Sequence, residues 1–324
     1  MTESFSIVIP TYRRARTLEA VLPSYLATGA AEVVLVDDGS GPPHNALLDE
    51  LARRDGVQLV RLLHAGLPAA RNAGVDAASG EWIVFGEDDC WYPADYPSVL
   101  IAHAMEFGAM ACSGSARLVH PRLLAGDPAE LDRAIRSGET VGQHDPDRLL
   151  GMPWPVRRLP SGDVLTPLLT AGAAIHRSVF QRVRFDPRYR GNAFREETDF
   201  FLGCHELGLR TLRCPHAVCG HLKAHARGGG GGAWAMGRAR YGWHMAANNW
   251  RFVRKHRDAL VRTRRAAGGH GGPVRIQFEF MRDLLRRART PAEEPSAPST
   301  ATLSAPAAGR SSTSPPPEPG ERGR

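Results

Sequence analysis

The sequence predicts an α/β protein: a mixed, mainly parallel sheet flanked by helices, followed by a helical C-terminal extension and a disordered tail. Three observations carry this prediction. Short apolar runs with β-branched centres recur between Phe5 and Phe85. Segments with helical spacing alternate with them. Two of the apolar runs end abruptly in acids, at Asp37-Asp38 and at Glu87-Asp88-Asp89.

Phe5 to Pro10, centred on Ile7-Val8-Ile9, reads as a buried strand. Arg16 to Leu26 places Leu18, Val21, Leu22 and Tyr25 at helical spacing. Val33 to Val36 is a second strand, closed by Asp37-Asp38-Gly39-Ser40. Leu47 to Arg54 reads as a helix, Val57 to Leu62 as a strand and the Ala-rich Leu67 to Ala78 as a helix stopped by Ser79-Gly80. Glu81 to Phe85 is the fourth strand. Alternation of this kind gives a parallel sheet with connections on both faces, and ligands gather at the carboxyl ends of its strands. Both acidic clusters fall at that edge. Ala116 to Pro160 is rich in Pro, Arg and Asp and gives no regular pattern. Val164 to Phe180 is apolar again, and Asp199 to Leu207 reads as a helix preceded by Glu196 and Glu197. Five glycines at 228–232 read as a flexible loop, and Trp234 to Arg265 as mostly helical. Beyond about Thr290 the Pro/Ser/Ala/Glu composition predicts disorder. The expected division is a catalytic domain over 1–225, with halves at 1–115 and 116–225. An extension over 226–289 and a tail over 290–324 follow.

The chain has 324 residues and is 42% hydrophobic, enough for a large core. Its net charge of +7 is uneven: residues 251–324 carry 15 basic and 7 acidic side chains, so the remainder is nearly neutral. A basic segment suits an anionic surface, or is a solvated tail in a chain whose cations are nearly all Arg. No nucleic-acid partner is expected. Five irregularly spaced cysteines do not read as a disulfide framework. The N-terminus lacks a basic n-region, and no apolar run approaches the length of a membrane span. A reducing cytoplasm is the expected compartment.

Glu87, Asp88 and Asp89 at one strand tip repel each other unless a cation sits there. Hard oxygen ligands suit Mg2+ or Mn2+; the plain alternative is a solvated strand end. Asp37-Asp38 can accept hydrogen bonds from a nucleobase or ribose, or can simply form an Asp-Gly turn. Arg71, alone in an apolar helix, can turn its fork to a phosphate or snorkel to solvent. Glu196, Glu197 and Asp199 can supply a general base or merely complement a helix dipole. Cys214, His216, Cys219 and His221 are crowded for a zinc site. His221 is the better candidate as a ligand to the cation at Asp89.

Together these motifs resemble family 2 glycosyltransferases of the GT-A fold over roughly residues 4–256. The carrying residues are Ser6 to Arg13, Val36 to Ser40, Ala70 to Gly74 and Phe85 to Asp89. Gly172 to Arg177 with Phe185-Asp186, and Arg195 to Phe200, resemble the acceptor-side segments. The resemblance implies that Pro10, Thr11, Tyr12, Arg13 and Asp38 line the nucleotide, with Arg71 near the base or diphosphate. Asp89 would be the principal metal ligand of the family's Asp-x-Asp motif. Glu87 would stand in its first position, which often faces the ribose, with Asp88 between them; both would belong to the nucleotide-sugar-binding set, and His221 would be a further metal ligand. Glu197 would be the catalytic base, with Glu196 and Asp199 as alternates. Glu87 and Glu197 both replace an Asp of the family pattern.

The implied activity is metal-dependent, inverting transfer from a nucleotide-diphosphate sugar to a hydroxyl of a glycan, a lipid-linked saccharide or a small molecule. The implied cofactor is Mn2+ or Mg2+. The glycine run would close over the donor as a lid. Residues 243–290 could touch the inner face of a membrane. The rivals are a sugar-phosphate nucleotidyltransferase and an inactive nucleotide-sugar-binding protein. The first usually carries a Gly-rich loop after the first strand, and Thr11-Tyr12-Arg13-Arg14 has no glycine.

Overall fold

The computed structural model describes residues 3–120, 124, 126–137, 157–170, 172–222, 236–266 and 268–289. The glycine run at 228–232 and the segment from residue 290 lie outside the described residues.

Four parallel strands form the nucleotide-side half of the sheet: β1 (Phe5–Thr11), β2 (Glu32–Asp37), β3 (Val57–Arg61) and β4 (Trp82–Phe85). They are connected through α1 (Ala15–Leu26), α2 (His44–Leu51) and α3 (Leu67–Ala77). Short β5 (Cys90–Trp91), α4 (Tyr96–Glu106), β6 (Ala111–Val119) and α5 (Pro128–Ser137) follow. Next come β7 (Arg157–Arg158), β8 (Val164–Leu165), β9 (Ala173–His176), α6 (Glu196–Glu206) and β10 (Thr211–Leu222).

The order across the sheet is β3-β2-β1-β4-β9-β6-β10-β8-β7, with β5 paired to β10. β9 runs antiparallel to both β4 and β6, whereas β10 is parallel to β6. The sheet is therefore mixed, with its purely parallel part confined to β1–β4. The apolar run expected over 164–180 supplies β8 and β9, each of which runs antiparallel to both of its neighbours. Local periodicity reports burial but not strand direction.

Alternation along each strand feeds two cores. Ile7, Ile9, Val33 and Leu35 face Leu18, Val21, Leu22 and Tyr25 of α1. Val8, Val34, Val36 and Phe85 face Ala70 and Val75 of α3, and Phe200 and Phe201 of α6. Gly74 fixes how closely α3 lies on the sheet, because a Cβ there would stand 2.2 Å from Val8 Cγ1. The helix expected over 199–207 begins earlier, at Glu196, so all three acids lie inside its first turn. The irregular stretch after Ala116 contains an amphipathic helix, α5, that buries Leu131 and Ile135.

The C-terminal helices α7 (Arg238–Lys255), α8 (Arg257–Ala266) and α9 (Pro273–Arg289) pack on α6 through a third apolar cluster. Leu202, Phe252, Leu260 and Ile276 are its members. A polar chain, Arg195 to Asn249 and Asn249 to Gln277, stitches the same contact.

Candidate active site

A cavity of about 280 Å³ opens at the carboxyl ends of β1, β2 and β4. Pro10, Thr11 and Tyr12 line it from β1, Asp38 from the end of β2, Arg71 from α3 and Glu87, Asp88 and Asp89 from the end of β4. His221, Arg14, His64 and the 191–193 loop complete the wall. Most of the residues singled out in the sequence thus meet in one place. Arg13 and the three acids of α6 are absent from the lining.

The strand end is held rigidly. The Tyr25 hydroxyl donates to the Glu87 carbonyl at 2.8 Å and accepts from the Glu87 N–H at 3.1 Å. Gly86 is required because a Cβ would stand 2.8 Å from the Tyr25 ring. Arg14 answers the repulsion among the acids. Its Nη1 is 2.6 Å from Asp88 Oδ1, and its Nη2 is 2.8 Å from Asp89 Oδ2. Burial disfavours the Arg14 cation, but Asp88 and Asp89 outweigh it and raise its pKa. Asp88 also accepts from Thr11 Oγ1 at 2.9 Å. Burial raises the Asp88 pKa to about 7 against the pull of Arg14, and the neighbouring Asp89 pushes in the same direction.

The other two acids turn towards β10. Antiparallel pairing of β5 with β10 sets His221 opposite Cys90, and the Leu222 N–H donates to the Asp89 carbonyl. His221 Nε2 consequently lies 3.4 Å from Asp89 Oδ1 and 3.5 Å from Glu87 Oε2. Ligand atoms of Glu87, Asp89, Cys90 and His221 all fall within 4.8 Å of one another. Asp88 stands outside this group. Burial keeps the Cys90 thiol protonated, well above its ordinary pKa, and it donates to Glu87 Oε2. Two carboxylates and an imidazole remain, a donor set that fits a divalent cation. The imidazole inclines it to Mn2+ over Mg2+.

The acids of α6 divide in two. Arg71 is fully buried, its Nη2 donating to Glu197 Oε1 at 2.7 Å. Its Nε lies 3.1 Å from Glu196 Oε1, close enough to pair but misaligned for a hydrogen bond. Arg71 Nε thus lacks a hydrogen-bond partner, and so does Glu196 Oε2. The guanidinium also lies against the Phe85 and Phe185 rings. So the Arg71 fork, at the cavity wall, is turned to the α6 acids. Burial raises Glu197 to about 7 despite Arg71, with Glu87 adding to the rise. Burial raises Glu196 well above the carboxylate range. Asp199 faces elsewhere: it accepts from Tyr189, Lys255 and His256 and anchors the C-terminal helices.

On the β2 side, the Asp38 carboxylate accepts from the N–H groups of Ala65 at 2.6 Å and Gly66 at 2.9 Å. It braces the loop that starts α3. Tyr12 stacks on His64 with centroids 4.2 Å apart, and the Arg13 guanidinium sits over the Tyr12 ring. Among the described residues, the non-glycine residues at positive φ are Arg13, His64, Ala193 and Arg195. Two of them line the cavity, and the others flank Tyr12 and open α6. Backbone strain gathered round one cavity is a mark of a functional site.

Arg14, His64 and the 191–193 loop are not legible as site residues in the sequence. The doubled Arg13-Arg14 after an apolar strand is the one local signal for Arg14. His64 and Asn192 reach the cavity only through the chain path. The crowded Cys214-to-His221 segment does not form one metal site. His221 turns to Asp89, Cys219 packs in the core, and His216 meets the Ser161 carbonyl.

Residues 6–122 match the family model described as glycosyl transferase family 2. A PGL/p-HBAD biosynthesis glycosyltransferase of Mycobacterium bovis is 41% identical over 96 residues, covering 28% of this chain and 38% of that protein. The chain spans less than two fifths of the length of the first curated relatives it matches. Among solved structures, the mannosyltransferase PcManGT of Pyrobaculum calidifontis, in complex with GDP-Man and Mn2+, superposes with a TM-score of 0.52 at 17% identity. That match covers 88% of this chain and 69% of the other. TarS 1–349 of S. aureus, in complex with UDP-GlcNAc, gives 0.52 at 15% identity over 77% of this chain and 66% of that one. The chain has the GT-A fold, and its residues 6–122 match the model of glycosyl transferase family 2.

Proposed function

We propose that this protein transfers a sugar from a nucleotide-diphosphate donor to an acceptor hydroxyl, with inversion and with a divalent cation at the end of β4. The observation that carries the proposal is the cavity itself. One space collects a nucleotide-side wall and a cation donor set, and Arg71 on its wall pairs with Glu197 of α6. The solved neighbours that share the fold hold GDP-Man with Mn2+ and UDP-GlcNAc, which supports a donor of that class here.

Each residue then has a task. Pro10, Thr11, Tyr12 and Asp38 bound the nucleoside end, with Arg13 packed on the Tyr12 ring. Asp89, Glu87 and His221 would hold Mn2+ or Mg2+, which when bound neutralises charge on the departing diphosphate. Asp88 stays on Thr11 and Arg14 and shapes the turn. Glu197 takes the acceptor proton as the new bond forms. Its pKa of about 7 suits that work near neutrality. Its side chain is 28% exposed, whereas Glu196 is only 4% exposed. Asp199 is committed to Lys255 and His256. Arg71, on the cavity wall, fixes the Glu197 carboxylate. No covalent intermediate is needed.

The acceptor is a glycan, a lipid-linked saccharide or a small molecule, and the setting is the cytoplasm. No helix among the described residues is long and apolar enough to cross a membrane. Residues 243–290 would touch an anionic surface from outside: Trp243 is exposed on α7, and Val274 and Phe278 are exposed on α9 together with Arg275 and Arg282. Flotation with anionic vesicles checks this, and no recovery of the full-length protein removes it.

A thermal-shift screen of UDP- and GDP-sugars with Mn2+ tests the main proposal, because a bound donor raises the melting temperature. NMR of the product then reads the anomeric configuration. Absence of any shift with nucleotide-diphosphate sugars would sink the proposal.

A further inference from the structure

We propose that His103, Asp163 and Cys214 form a structural zinc site remote from the cavity, clamping α4 to the β8–β10 part of the sheet. His103 lies near the C-terminus of α4, Asp163 in the turn between β7 and β8, and Cys214 on β10. Their ligand atoms fall within 4.8 Å of one another. A tetrahedral zinc ion sets such atoms roughly 3.3–3.8 Å apart, so small side-chain shifts close the site. None of the three residues lines the donor cavity.

The independent observation is the state of Asp163. It is fully buried, and its Oδ1 has no hydrogen-bond partner. Its Oδ2 faces His103 Nδ1 at 2.6 Å and accepts from Ser161 Oγ at 3.1 Å. A buried carboxylate with one oxygen left over is costly, and a cation resolves it. Cys214 beside it is buried, with an apolar core behind. A soft sulfur, an imidazole and a carboxylate together suit zinc better than Mg2+ or Mn2+. A water takes the fourth position. Binding replaces the Cys214 S–H bond by a Zn–S bond and releases the proton to solvent. Ser161 is the outer partner that orients the carboxylate.

Metal-free full-length protein titrated with Co2+ tests the assignment, because a thiolate-to-cobalt charge-transfer band reports sulfur ligation. The expected result is one such site per chain, displaced by Zn2+. The band persists in Asp89→Asn and Cys90→Ser, which alter the other cluster. It disappears in Cys214→Ser and in His103→Gln. Ser161→Ala weakens binding about tenfold. If Cys214→Ser does not fold, His103→Gln, at the partly exposed end of the site, decides the same question. No charge-transfer band in the wild type, a band that survives His103→Gln, or one lost with Cys90→Ser would overturn the proposal.

Discussion

Two acidic clusters lie near each other, one at the end of β4 and one at the start of α6, and each is answered by an arginine. The answers differ in kind. Arg14 comes from the turn after β1, its side chain is 18% exposed, and it bridges Asp88 and Asp89. Arg71 projects from the middle of α3, is 2% exposed, and holds Glu196 and Glu197 between two phenylalanine rings. Arg14 can be exchanged for another cation at modest cost, because water reaches it. Arg71 cannot leave without stranding charge in a dry interior. The β4 end is therefore built for a countercharge that comes and goes, and the α6 end for one that stays.

The sharpest way to break this comparison is to neutralise one acid on each side. Glu197→Gln should lower transfer by up to about 10⁴-fold while leaving donor binding intact, read by kcat beside a donor titration. Retained transfer would remove Glu197 as the base. Asp89→Asn should cost about 10³-fold, equivalent to a loss of about 4 kcal/mol in transition-state stabilisation. Here cation affinity should fall as well, a loss that Glu197→Gln should not share.

The arginines come next. Arg71→Met should destabilise the fold by about 3–5 kcal/mol, measured by urea denaturation, because the buried Glu196 and the half-buried Glu197 lose their partner. Arg14→Gln should cost less, about 1–2 kcal/mol, because Arg14 is partly solvated although Asp88 and Asp89 are buried. It should also enlarge the rise in melting temperature produced by Mn2+ without donor. An equal stability loss in the two variants would erase the distinction drawn between them.

The smallest effect is in pH. Glu197 titrates near 7 in the folded chain, above its ordinary 4.5, so the folded state binds the extra proton between those values. Its contribution to stability is full below about 4.5 and is lost as pH rises through about 7. Activity should run the other way and fall below about pH 7 as the base protonates. Glu197→Gln should remove its share of the stability slope, which thermal melts at pH 5 and pH 7.5 will read.

Much of the nucleotide-side half is legible in the sequence because its signals are local. β1 to β4 and α1 to α3 follow from apolar period and punctuation, and their ends fall within a few residues of the expected ones. The acids at 87–89 are visible as a cluster because sequence neighbours stay neighbours. Their countercharge is not: Arg14 lies more than 70 positions away and reaches them only because β1 and β4 pair in register. His221 is farther still and depends on the β5–β10 pairing. The direction of β9 is hidden for the same reason. The fork of Arg71 reads as free to take a phosphate, since nothing near it in the chain shows that α6 folds back onto α3.

The placement of β9 has a consequence for synthesis. The strand lies between β4 and β6, yet it is made after both. Until Ala173–His176 leaves the ribosome, β4 and β6 have no common neighbour, and each presents an open edge able to recruit a foreign strand. The sheet can close only when more than half of the chain has been translated. A nascent chain paused before residue 173 therefore holds both of these edges open.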